Sequence, residues 1–137
     1  MRAEIADLQR AGVACAAPRM GIMVEVPAAA LTAGDFDADF YSIGSNDLIQ
    51  YATACARDNA ALASLADAHN PAISALIRHT VQAARRRGVE VSLCGDMASS
   101  PQMIGALLDT GLRTLSCAPA QIGAVKLAVS RHMSKPA

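Results

Sequence analysis

The sequence predicts an α/β fold of parallel strands alternating with helices. Three observations predict it. Residues 21–26 (GIMVEV), a short run rich in Ile and Val, read as a buried strand of the type found in a parallel sheet, and 40–43 (FYSI) and Glu90–Cys94 (EVSLC) read as two further strands. Alanine-rich stretches with helical spacing lie between them. Each run then meets a residue that stops a strand: Pro27, Gly44 or Gly95.

Residues 2–11 carry Ile5 and Leu8 among charged residues, an amphipathic helix that Gly12 stops. Residues 13–20, with Pro18, read as loop. Strand 21–26 holds one charge, Glu25, and Pro27 then opens a helix that runs to Gly34. The second strand falls within 36–43, best over 40–43, and ends in Gly44-Ser45-Asn46-Asp47. Helices are predicted over 48–56 and 59–68.

Asn70 is a good N-cap, with Pro71 in the first turn. Ile73, Leu76, Ile77, Val81 and Ala84 mark one face of a long helix. Arg85, Arg86 and Arg87 suit its C-terminal dipole end and read as a solvated helix end, with Gly88 as the stop. After the third strand, Ser99 or Ser100 is expected to cap a helix from Pro101 to Asp109, closed by Gly111. Residues 114–117 read as a short extended segment and 120–132 as a final helix. Strands alternating with helices make parallel βαβ units. Three or four strands are few for such a fold, so the chain reads as part of a larger one.

Composition narrows the function. A chain of 137 residues is about one domain, and 53% apolar with 18% charged is too apolar for disorder. Twelve basic residues balance twelve acidic ones, and only two Phe and two Tyr are present with no Trp. That gives no footing for nucleic-acid binding, which needs basic charge and stacking rings. No apolar run approaches the roughly 18 residues of a membrane span. The charged N-terminus does not read as a signal peptide. Cys15, Cys55, Cys94 and Cys117 are widely spaced and read as reduced thiols of a cytoplasmic protein.

Active sites of parallel α/β folds lie at the C-terminal ends of strands. Here those ends offer Glu25, then Asn46 and Asp47, then Cys94 and Asp96. A carboxylate inside an apolar strand requires a cation, a metal or a proton. Glu25 and Asp47, on neighbouring strands, suit Mg²⁺ with its preference for one or two carboxylates plus substrate phosphate. A salt bridge to an arginine serves Glu25 equally, and an N-cap role serves Asp47. The turn at Gly44 opens a helix whose N–H groups favour an anion, although it matches no Walker or Rossmann pattern. Cys94 reads either as a small buried hydrophobe or as a catalytic acid, base or nucleophile. Arg57 suits a phosphate or carboxylate, or pairs with Asp58 on the surface. His69, His79 and His132 lack metal-ligand spacing.

Five motifs in order, GIMVEVPAAAL, FYSIGSNDLIQY, ARDN, HNPAISALI and SLCGDMASSP, resemble the C-terminal part of the phosphoenolpyruvate-utilising enzymes, most closely their protein phosphotransferases. The resemblance covers nearly the whole chain. It implies a (β/α)₈ barrel of which this chain supplies the C-terminal part, about strands six to eight. A full barrel takes about 250 residues. It implies a site for phosphoenolpyruvate and Mg²⁺, with Glu25 and Asp47 as metal ligands. Asn46, Asp47, Arg57 and Gly95 would bind substrate. Cys94 would be the acid that protonates C3 of the enolate as pyruvate forms.

The implied partners are a phosphohistidine domain of the same enzyme, a phosphocarrier protein beyond it, and a second copy in a homodimer. Asp96 stands where the family commonly has Glu, Ser99-Ser100 replaces a Gly-Asp pair, and Ile49 replaces Thr. None of the three histidines lies in the family's phosphohistidine motif, and the family's arginines from earlier strands are not in this sequence, so the segment alone is incomplete. Three other readings stay open: a dikinase or phosphoenolpyruvate synthase of the same superfamily, a non-catalytic oligomerisation module, and a small Mg²⁺-dependent lyase acting on pyruvate.

Overall fold

The computed structural model describes residues 2–55 and 67–134. Its centre is a parallel sheet in the order β1 (Gly21–Val24), β2 (Phe40–Gly44), β3 (Glu90–Cys94). Helix α1 (Arg2–Arg10) precedes the sheet. Helix α2 (Pro27–Leu31) and a 3₁₀ turn (Ala33–Asp35) join β1 to β2. Helices α3 (Ser45–Thr53) and α4 (Pro71–Arg87) lie between β2 and β3. Helices α5 (Asp96–Ser99), α6 (Ile104–Asp109) and α7 (Ile122–Met133) follow.

Parallel pairing aligns Ile22 with Tyr41 and Val24 with Ile43, then Tyr41 with Val91 and Ile43 with Leu93. Side chains alternate along a strand, so these six share one face. That face meets Ala30 of α2 and Ile73, Ile77 and Val81 of α4 in the main core. The other face carries Met23, Ser42, Ser92 and Cys94, and Met23 is 47% exposed. The sequence pattern predicts strands buried on both faces. The structure covers one, because α2 and α4 pack on the same side.

Local signals explain the best-placed elements. Asn70 Oδ1 accepts the Ala72 N–H at 2.9 Å, and Pro71 needs no donor partner in the first turn. Gly88 closes α4 with a φ of +68°, a left-handed turn that favours glycine. Tyr41 is buried, and its hydroxyl donates to the Ala33 carbonyl at 2.7 Å. That bond fastens the 3₁₀ turn to β2. Beyond β3, Leu93 forms a parallel bridge with Leu115, as expected of the extended segment at 114–117. Ile104, Leu108 and Val125 pack a smaller core between α6 and α7.

Several boundaries differ from expectation. β1 ends at Val24, so Glu25 follows the strand rather than sitting within it. α3 starts at Ser45 rather than residue 48 and stops at Thr53, where Ala54 adopts a φ of +54°. No serine side chain caps α6. Residues 96–99 form a helical turn of their own, and Ser99 Oγ accepts the Ala118 N–H instead. Arg85 and Arg87 are anchored rather than merely solvated, donating to the Gly111 and Gly34 carbonyls at 2.8 and 3.1 Å. The helix expected over 59–68 lies largely outside the described residues. Its last two residues lead into a turn, in which Asp67 Oδ1 accepts the His69 N–H.

Candidate active site at the strand ends

The C-terminal ends of the three strands converge on two glycines. Gly44 of β2 is the register partner of Cys94 of β3. Glu25 comes one residue after Val24, the partner of Ile43, and so lies beside Gly44. A Cβ on Gly44 would sit 2.8 Å from Glu25 Oε2 and 2.9 Å from Glu25 Cβ. Gly95 faces the same turn from the other side. Its backbone is at φ +101°, ψ −175°, a region almost closed to side chains. Both glycines are required for the three strand ends to close up.

Two hydrogen bonds hold the end of β3 against the start of α3. The buried Ser45 hydroxyl donates to the Cys94 carbonyl at 2.7 Å. Asn46 Oδ1 accepts the Asp96 N–H at 3.0 Å. This second bond fixes the side-chain amide, and Asn46 Nδ2 has no hydrogen-bond partner among the described residues. The amide is therefore available as a donor to an anion.

Asp47 lies in the first turn of α3, where the helix dipole favours negative charge. It is not the N-cap expected of it as an alternative, because that position is Gly44 and no side chain caps the helix. Glu25 and Asp47 are both half-buried. Neither carboxylate makes an ion pair or hydrogen bond among the described residues, so the alternative of an arginine salt bridge to Glu25 has no partner there. Oxygen donors of this kind suit a hard divalent cation. Among the described residues no group of three or more His, Cys, Asp or Glu side chains is placed to hold a metal ion.

Cys94 is half-buried at this open end rather than sealed in the core. Its thiol donates to the Ile43 carbonyl at 3.5 Å and accepts from the Ser42 hydroxyl at 3.9 Å. The remaining thiols serve packing: Cys55 is 2% exposed, Cys117 joins the α6–α7 core, and Cys15 contacts the Ile5 carbonyl. Arg57 lies outside the described residues. Glu25, Asn46, Asp47, Cys94 and Gly95 are thus gathered at one end of the sheet. Ser45 and Ser42 were not singled out by sequence. Ser45 had a signal in opening the Gly44 turn, and Ser42 one in sharing a strand face with Gly44 two residues on.

The family model described as the PEP-binding domain of PEP-utilising enzymes matches residues 1–134, and the chain belongs to this family. It is 43% identical over 127 residues to the phosphoenolpyruvate-protein phosphotransferase of Haloferax volcanii, covering 91% of this chain and 22% of that protein. It is 48% identical over 118 residues to the phosphoenolpyruvate-protein phosphotransferase of Geobacillus stearothermophilus, covering 84% and 20%. The phosphoenolpyruvate synthase of Pyrococcus furiosus is 39% identical over 118 residues, covering 84% of this chain and 14% of that protein. The chain spans about a fifth or less of the length of these curated relatives. Among the described residues no helix is long and apolar enough to cross a membrane.

Proposed function

We propose that this chain is the phosphoenolpyruvate- and Mg²⁺-binding part of a phosphotransferase that passes the phosphoryl group of phosphoenolpyruvate to a protein histidine and releases pyruvate. The observation that carries the reading is the convergence of Glu25, Asn46, Asp47 and Cys94 on the Gly44 and Gly95 cradle. In this reading residues 1–137 are one partial barrel domain. The sheet and the bridged Leu115 segment supply the last strands of a (β/α)₈ barrel, and the face of Met23, Ser42, Ser92 and Cys94 lines its interior. An apolar groove of about 740 Å³ beside Leu115, Ile122, Val125 and Met133 would be covered by the rest of the barrel.

The family resemblance suggests the roles, and the chemistry of the residues suits them. Glu25 and Asp47 would hold Mg²⁺, which when bound neutralises charge on the enolate and phosphate oxygens. Asn46 Nδ2 and Arg57 would hold the phosphate, with the uncapped first turn of α3 facing the same anion. Gly95, lacking a side chain, lets the backbone approach the substrate. Once the phosphoryl group leaves, Cys94 gives its proton to C3 of the enolate. The S–H bond breaks, a C–H bond forms, and sulfur keeps the electron pair. Phosphoryl transfer itself rests on positioning and charge neutralisation.

The partners in this reading are an upstream phosphohistidine domain, a phosphocarrier protein and a second copy in a dimer, all in the cytoplasm. The likeness to a phosphoenolpyruvate synthase favours a second reading, in which the same site serves a synthase or dikinase. The identity of the phosphoryl acceptor separates the two. The test is to place this chain in the matching segment of the Geobacillus stearothermophilus phosphotransferase. Cys94→Ala in that chimera should abolish pyruvate formation and retain phosphoenolpyruvate binding. Undiminished turnover would remove the thiol from the mechanism.

A further inference from the structure

We infer that Ser42 is a positioning residue for the Cys94 thiol, and that its hydroxyl stabilises the thiolate left after proton transfer. The inference rests on the reading of Cys94 as proton donor. Ser42 lies two residues before Gly44, and strand alternation puts it on the open face of the sheet, one row beneath Cys94. Its hydroxyl points at Cys94 Sγ at 3.9 Å, and the thiol donates to the Ile43 carbonyl at 3.5 Å. Among the described residues these are the only hydrogen-bond partners of the sulfur.

The two partners act in opposite senses. While the thiol is protonated, Ile43 and Ser42 together fix the direction of the S–H bond. When the proton moves to carbon, the sulfur becomes anionic and faces a carbonyl oxygen it can no longer donate to. Among the described residues the Ser42 O–H is then the one hydrogen-bond donor directed at the sulfur, and hydrogen bonds to charged groups are the stronger kind. The titratable groups on flanking elements are Glu25 after β1, Asp47 on α3 and Asp96 on α5. None is hydrogen-bonded to the sulfur. Tyr41 faces the core on the opposite side of β2, and Glu90 lies at the far end of β3. Ser42 Oγ is therefore a neutral donor on the open face, placed to hydrogen-bond the sulfur once its proton has left.

The test is peptide-resolved alkylation of the 137-residue chain by iodoacetamide at fixed pH, which reads thiolate at each cysteine separately. Ser42→Ala and Ser42→Val should slow Cys94 alkylation about tenfold, and Ser42→Thr, which has the shape of Val and keeps the hydroxyl, should restore it. Cys15 and Cys117 are internal references whose rates should not change. The infrared S–H band of Cys94, isolated by difference against Cys94→Ser, should shift in the Ala and Val variants and not in the Thr variant. Equal Cys94 rates and bands in all variants, or loss in Thr matching that in Val, would overturn the inference. The readout needs no turnover, so it stands apart from the chimera test of Cys94 as the acid.

Discussion

Gly95 stands where the Ser45 hydroxyl leaves no room for a side chain: a Cβ there would lie 2.4 Å from Ser45 Oγ and 2.8 Å from Asn46 Oδ1. Ser45 cannot move aside without breaking its bond to the Cys94 carbonyl. Gly95→Ala should therefore destabilise the chain by about 3 kcal/mol, combining left-handed backbone strain with overpacking. Gly12 provides the comparison, with a φ of +75° and nothing within 4 Å of the Cβ position. Gly12→Ala should cost only about 1 kcal/mol. Urea unfolding of both variants reads the difference, and equal losses would show that the cradle does not depend on close approach.

Tyr41 is the largest buried side chain of β2, and its hydroxyl ties the strand to the turn after α2. Tyr41→Phe keeps the ring and deletes the bond. The Ala33 carbonyl it leaves is close to the core, since Ala33 is itself fully buried. The expected loss is about 1–3 kcal/mol by thermal or denaturant unfolding. A loss under about 0.5 kcal/mol would place that carbonyl in contact with water.

Glu25 and Asp47 have no structural bond to lose among the described residues. Glu25→Gln and Asp47→Asn should each leave stability within about 0.5 kcal/mol of the parent chain. Both should weaken Mg²⁺ binding, read by isothermal titration with the metal alone. A large drop in stability with unchanged Mg²⁺ affinity would assign the carboxylates to the fold instead.

The strands and the long helix were legible in sequence because their signals are local. Asn70, Pro71 and Gly88 bracket α4, and β3 matches the EVSLC run residue for residue. The end of β1 was not legible. Val26 prolongs the β-branched run past Glu25, but the ladder stops where the partner strand turns at Gly44. The start of α3 was hidden because Gly, Ser, Asn and Asp are all turn formers. In the structure Gly44 is the cap and the next three residues are already helical. Asp96–Ser99 is too short a helix to leave a periodic trace.

The site divides in the same way. Residues that carry a charge, an amide or a thiol could be named from motif and strand position: Glu25, Asn46, Asp47 and Cys94. What joins them could not. The Ser45 bond to Cys94 and the Asn46 bond to Asp96 span 49 and 50 residues, and only the register of β2 against β3 brings them together. Ser42 looked like an ordinary strand residue, and its meaning depends on which face of the sheet the helices leave open.

The strand ends are proposed to form a Mg²⁺-dependent phosphoenolpyruvate site. Calorimetric titration of this chain with phosphoenolpyruvate, with and without Mg²⁺, tests it most directly. Binding should need Mg²⁺ and should disappear in Glu25→Gln. Binding that is indifferent to Mg²⁺, or that survives Glu25→Gln unchanged, would contradict it.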